Sequence, residues 1–83
     1  MSQKPFLQIK NYLSNSFFIP NSPIKPYRKF EQLGLNFMEF NEVVVQLENY
    51  NHINLPDVAV SNVRTIGDLV ELVNFHRINP LKN

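Results

Sequence analysis

The sequence predicts an all-α bundle of three long helices and one short one, and three observations carry that reading. Two segments open with a polar cap and a carboxylate three residues later, Asn36 with Glu39 and Thr65 with Asp68. In that pattern each side chain satisfies the other's unpaired backbone N–H, the signature of a helix start. Behind the first cap, Phe40, Val43, Val44, Leu47 and Tyr50 recur at the helical period and form one broad apolar stripe. Three of the six prolines fall in residues 20–29, which marks that stretch as an ordered loop rather than a helix.

Taken in order, residues 5–13, "PFLQIKNYL", form the first helix. Pro5 suits its first turn. Phe6, Ile9 and Leu13 share a face with Lys10 at its edge, and the Ser and Asn that follow weaken any extension into "SNSFF". The second helix spans residues 37–50, with its stripe turned to the core. Met38 and Val45 fall on the opposite side, and Phe37, Asn41 and Glu48 lie between. Residues 51–63 connect, with a short helical turn after Pro56 and Asp57. Leu55, Val58, Val60 and Val63 are its anchors. The last helix follows Thr65, with Ile66, Leu69, Val70 and Val73 as its core face, and Pro80 ends it.

At 83 residues the chain is read as one small domain, residues 1–83, with a modest core and marginal stability. It has no cysteine, which excludes disulfides and thiolate metal sites and fits a reducing, cytoplasmic compartment. No apolar run approaches the ~18–20 residues of a membrane span, and no secretory leader is expected. Net charge is +1 but segregated: residues 1–29 hold five cations and no acid, residues 30–72 hold all seven acids and only Arg64, and Arg77 and Lys82 follow. Either the two halves attract each other, or a two-signed surface meets a charged partner. The basic segment contains Phe17, Phe18 and Tyr27, but the acidic body argues against nucleic acid. His52 and His76 read as a loop residue and a helix-end residue that favours the dipole. No metal cluster, Gly-rich phosphate loop or catalytic constellation is visible, so no enzyme activity is expected.

Three stretches then resemble the acyl carrier protein family. "IKPYRKFEQLGLNFMEFNEVVVQLE" is similar to its central block. Ile24, Pro26, Phe30 and the Leu33-Gly34-Leu35 turn fall where that family has an apolar residue, a proline, another apolar residue and "LGxDSL". "LPD" at 55–57 is similar to its "IPD". "VRTIGDLVELV" at 63–73 is similar to its "ITTVGDxxxxI", and no gap is needed between Leu33 and Val73. The resemblance implies a four-helix bundle that carries acyl chains as thioesters on phosphopantetheine, attached to the serine that opens the second helix. Here Asn36, Phe37 and Met38 replace Asp, Ser and Leu. Phenylalanine has no nucleophilic atom, and Ser22 and Ser61 lie in other segments, so phosphopantetheine is expected to be absent.

The reading is therefore a carrier-like module without its attachment site. It would dock or regulate enzymes of fatty-acid, polyketide or related acyl-chain biosynthesis, or another carrier-binding protein. Phe37, Met38, Asn41, Glu42 and Val45 form the expected contact surface, with Glu39, Glu42 and Glu48 as a diluted acidic face. Phe37 either folds into the loop and core or stands exposed as a contact; the apolar Met38 and Val45 favour exposure. The alternatives are an unrelated helical interaction protein and a true carrier modified at an unusual position. A monomer or weak homo-oligomer is expected.

Overall fold

The computed structural model describes residues 3–78. Helix α1, Lys4–Ser16, begins with Pro5 in its first turn and buries Pro5, Ile9 and Leu13. It runs three residues past the predicted end at Leu13. The Ser14 hydroxyl donates to Asn21 Oδ1 at 2.8 Å instead of competing for the helix backbone. Phe17, just beyond, sets its ring edge-to-face on Tyr12 at 5.7 Å. Tertiary contacts thus override the weak propensity of "SNS". The Ile19 N–H closes the end on Leu13 O at 3.2 Å, with Phe18 between them in the left-handed region at φ +56°.

The ordered loop expected over residues 20–29 is present and begins earlier, at Phe17. Ile24 is buried and pins it to the core. Its last residues run antiparallel to the start of the fourth helix: Ile66 N–H donates to Arg28 O at 2.9 Å and Gly67 N–H to Pro26 O at 2.7 Å. A β-carbon at Gly67 would lie 3.0 Å from that same Pro26 oxygen, so any side chain there would press on the tethered carbonyl. A 3₁₀ turn, Phe30–Leu33, follows and is not foreseen from the sequence; Gly34 ends it at φ +81°.

Helix α2, Phe37–Asn51, matches the predicted span to within one residue. Val43, Val44 and Leu47 are buried, and Phe40 stacks edge-to-face on Phe30 at 4.9 Å. Tyr50, expected in the stripe, is exposed. The last turn is held instead by Asn51, whose Nδ2 donates to Gln8 Oε1 of α1 and to Leu47 O, both at 2.8 Å. Glu48 is not simply solvated either: its carboxylate accepts from the Leu55 N–H at 2.7 Å and fixes the following connection.

Helix α3, Asp57–Ser61, is the predicted short turn. Leu55, Val60 and Val63 anchor this region, but Val58 points to solvent, because five residues are too few to bury more than one side. Helix α4, Ile66–Ile78, opens with the predicted box: Asp68 N–H donates to Thr65 Oγ1 and Thr65 N–H to Asp68 Oδ2, each at 3.0 Å. Pro80 lies outside the described residues. Ile66, Leu69 and Val73 are buried, and Val70 packs beside them. His76 is a correction. It is only 5% exposed, continuing the core stripe three residues past Val73, with Nδ1 unpartnered.

Helix α1 packs on α2 and α4, α2 packs on α4, and α3 lies on α4. This is an all-α four-helix bundle, with no strand among the described residues. No ion pair joins Lys25 or Lys29 to a carboxylate among the described residues, so the opposite charges of the two halves are not neutralised there by direct contact.

Candidate functional site

The start of α2 is built by backbone geometry first. Gly34 turns the chain, and its N–H and that of Leu35 donate to Glu31 O and Phe30 O at 3.1 and 3.4 Å. Asn36 is extended (φ −84°, ψ 177°). Its Oδ1 accepts from the Glu39 N–H at 2.8 Å, and Glu39 Oε1 accepts from the Asn36 N–H at 2.9 Å. The box sets the helix start independently of the two side chains it encloses. Phe37 and Met38 project outward and are 76% and 73% exposed. Phe37 is therefore not a core plug.

Two clefts flank this face. Met38, Asn41, Glu42 and Val45 line a groove of about 440 Å³ together with Tyr12 of α1 and Gln46. Phe37 lies on the other side with Asn41, Asp57, Val60, Ser61 and Arg64, around a cleft of about 570 Å³ between α2 and α3. The five residues expected to form one surface thus form a ridge with a groove on each side, and Asn41 borders both.

Three contributors escape sequence reasoning. Tyr12 comes from another helix. Arg64, the lone cation of the acidic stretch, donates through Nη1 to Ser61 O and Val63 O at 2.9 and 3.1 Å and so stands in the α2–α3 cleft. Ser61, remote from Phe37 in sequence, lines the same cleft; its hydroxyl donates to Val58 O at 2.7 Å. None of these has a local sequence signal. Nearby, the Asp68 carboxyl is held below its ordinary value, first by the Thr65 backbone N–H and then by that of Arg64. Among the described residues no group of three or more His, Cys, Asp or Glu side chains could hold a metal ion.

A turn-capped α2 that opens on a Leu-Gly-Leu turn, a short α3 and a box-capped α4 define a bundle of the acyl-carrier type. Comparison with known proteins agrees. The chain is 34% identical over 56 residues to an acyl carrier protein of Acidothermus cellulolyticus, covering 66% of this chain and 67% of that protein. It is 29% identical over 75 residues to an acyl carrier protein of Prochlorococcus marinus, covering 88% and 94%. No family model matches the chain, and no solved structure does. The chain belongs to the acyl carrier protein family, whose members are carriers and not enzymes. An unrelated helical protein that shares only the bundle is thereby set aside. No helix among the described residues is long and apolar enough to cross a membrane.

Proposed function

We propose that this chain is a carrier-family module without a prosthetic arm, which docks enzymes of acyl-chain biosynthesis through the ridge of α2. The observation that carries the reading is Phe37. Attachment of phosphopantetheine requires a side-chain oxygen that attacks the pyrophosphate of coenzyme A. A phenyl ring has no such atom, and it stands where the helix N-terminus would favour the resulting phosphodiester. The residues at this position do not fit the group. What they offer a partner is apolar contact from Phe37, Met38 and Val45, with Asn41 and Glu42 supplying polar registration. Three such side chains make a small patch, so docking is weak and assisted by charge.

Incubation with coenzyme A and a broad-specificity phosphopantetheinyl transferase is expected to leave the intact mass unchanged. A mass increase matching the arm refutes the reading. Ser61 gives the second reading its footing, because it lies in the same cleft as Phe37. Its hydroxyl faces the carbonyl end of α3, which disfavours a phosphate. An increase abolished by Ser61→Ala would make this chain a true carrier modified at an unusual position.

A further inference from the structure

We infer that the basic loop 17–29 and the groove between α3 and α4 are complementary surfaces through which a second copy of this chain docks head to tail. Neither surface belongs to the α2 ridge, so the inference stands apart from the function proposed above.

The groove encloses about 530 Å³. Val63, Leu72, Phe75 and Ile78 form its apolar lining, with Asp68 and Glu71 on its rim; no cation lines it among the described residues, while Arg64 stands near enough to act on Asp68. Helix α4 buries one apolar side and leaves large apolar residues exposed on another. One side, Ile66, Leu69 and Val73, enters the core; along the other, Phe75 and Ile78 are 55% and 70% exposed. With Asp68 and Glu71 on the same helix, these two side chains make a mixed apolar and acidic face.

The loop has the opposite character. Phe18 is 84% exposed and Tyr27 70% exposed, and the side chains of Lys25 and Lys29 are exposed without ion pairs among the described residues. The Arg28 guanidinium lies 5.7 Å from the Tyr27 ring centre and adds to the positive field there. Phe18 also occupies φ +56°, a backbone conformation that favours glycine. The left-handed turn serves the end of α1, where the Ile19 N–H reaches Leu13 O, but that turn does not require an exposed aromatic ring.

Charge decides among the possible receiving surfaces. The α2–α3 cleft holds one acid, Asp57, and one cation, Arg64, and the α1–α2 groove offers a single acid, Glu42. The α3–α4 groove offers two acids, and no cation lines it among the described residues. Geometry decides that the loop comes from another copy. Within one chain, Pro26 and Arg28 are tied to Gly67 and Ile66 at the start of α4. Phe75 and Ile78 lie about 12 and 17 Å further along that helix at 1.5 Å per residue, away from that anchor. Because the donor and acceptor surfaces differ, each copy uses both, and the product is a head-to-tail chain or ring of molecules rather than a two-fold dimer. Two aromatic tips and a few charges bury far less than the roughly 1,600 Å² of a stable interface, so association is weak and salt-sensitive.

Sedimentation velocity and NMR diffusion up to roughly 1 mM protein, where a Kd in that range is measurable, test the inference. The average mass is expected to rise with concentration at low salt and to fall back at about 0.5 M salt. Phe18→Gly with Lys25→Glu and Lys29→Glu removes the loop surface, and Glu71→Lys removes the groove surface; each is expected to weaken association about tenfold. Phe18→Gly alone relieves the strained φ, so it is expected to hold or raise Tm while weakening association, which separates lost docking from misfolding. The loop variant retains a groove and the Glu71→Lys variant retains a loop. Mixed together they are expected to form a species of two molecules and no larger. A wild-type chain that stays monomeric throughout, unchanged association in either variant, or a mixture that stays monomeric would each overturn the inference.

Discussion

Replacing Phe37 by alanine separates a docking residue from a structural one. The ring is 76% exposed, so about a quarter of its surface leaves water on folding. Full burial of such a side chain stabilises by ~1.5–3 kcal/mol, and a quarter of that is ~0.4–0.8 kcal/mol. Alanine recovers a few tenths of a kcal/mol as the better helix former, about 0.5 at most. The N-cap hydrogen bonds are made by residues 36 and 39 and are untouched. The net change is expected to stay within about 0.5 kcal/mol, or ~2–4 °C in Tm for a domain of this size. Urea and thermal unfolding followed by circular dichroism measure it. In parallel, capture of a carrier-dependent acyl-chain enzyme is expected to weaken. A stability loss of ~3 kcal/mol or more, the range of a buried Phe→Ala change, would show that the ring plugs the bundle and would remove the basis for a docking role.

The remaining expectations concern the scaffold. Leu47→Ala, at a side chain 1% exposed, is expected to cost ~2–5 kcal/mol in urea unfolding; a loss below ~0.5 kcal/mol would contradict its core position. Gly67→Ala is expected to lower Tm despite the ~1 kcal/mol that propensity alone favours alanine, because the new β-carbon meets the tethered Pro26 carbonyl at 3.0 Å; a higher Tm would show that the loop yields. Folding lowers the Asp68 pKa below its ordinary 3.8 through the Thr65 and Arg64 N–H groups, so the ionised form stabilises the fold above that value. That contribution is lost as pH falls through the lower folded pKa. Asp68→Asn is expected to reduce the loss of stability with acid in that window, and an unchanged pH profile would contradict the assigned role.

The parts of this fold that are readable from the chain are those set by local chemistry. Asn36 with Glu39 and Thr65 with Asp68 can be recognised because each pair closes its hydrogen bonds within one turn. The Val43, Val44 and Leu47 stripe can be recognised because core contact repeats at the helical period. What escapes depends on distant partners. The end of α1 moves because Ser14 meets Asn21 and Phe17 meets Tyr12. Glu48 has the look of a solvated acid until the chain returns to place the Leu55 N–H against it. Ser61 joins Phe37 only through the packing of the α3 region. His76 is an instructive case. Its spacing from Val73 continues the buried stripe, but its polarity argues for the surface, and position on the stripe outweighs polarity.

The start of α2 shows how the fold can accept different side chains at position 37. The turn is made by Gly34, and the helix is begun by Asn36 and Glu39. Residue 37 contributes nothing to either, and its side chain leaves the bundle at once. A phenyl ring at this exposed position does not ask the core to repack, so exchanges there are expected to have little effect on stability. Substitution at Gly34 or Leu47 would not have this freedom, since one needs a left-handed backbone and the other fills the core. The same independence makes the reverse change informative. Phe37→Ser is expected to leave Tm nearly unchanged, as Phe37→Ala does. If the serine is then modified by the transferase, the rest of the carrier surface is intact and position 37 alone blocks the arm. If it is not, Asn36 or the flanking Met38 also departs from what the transferase requires, and the change reaches beyond one residue.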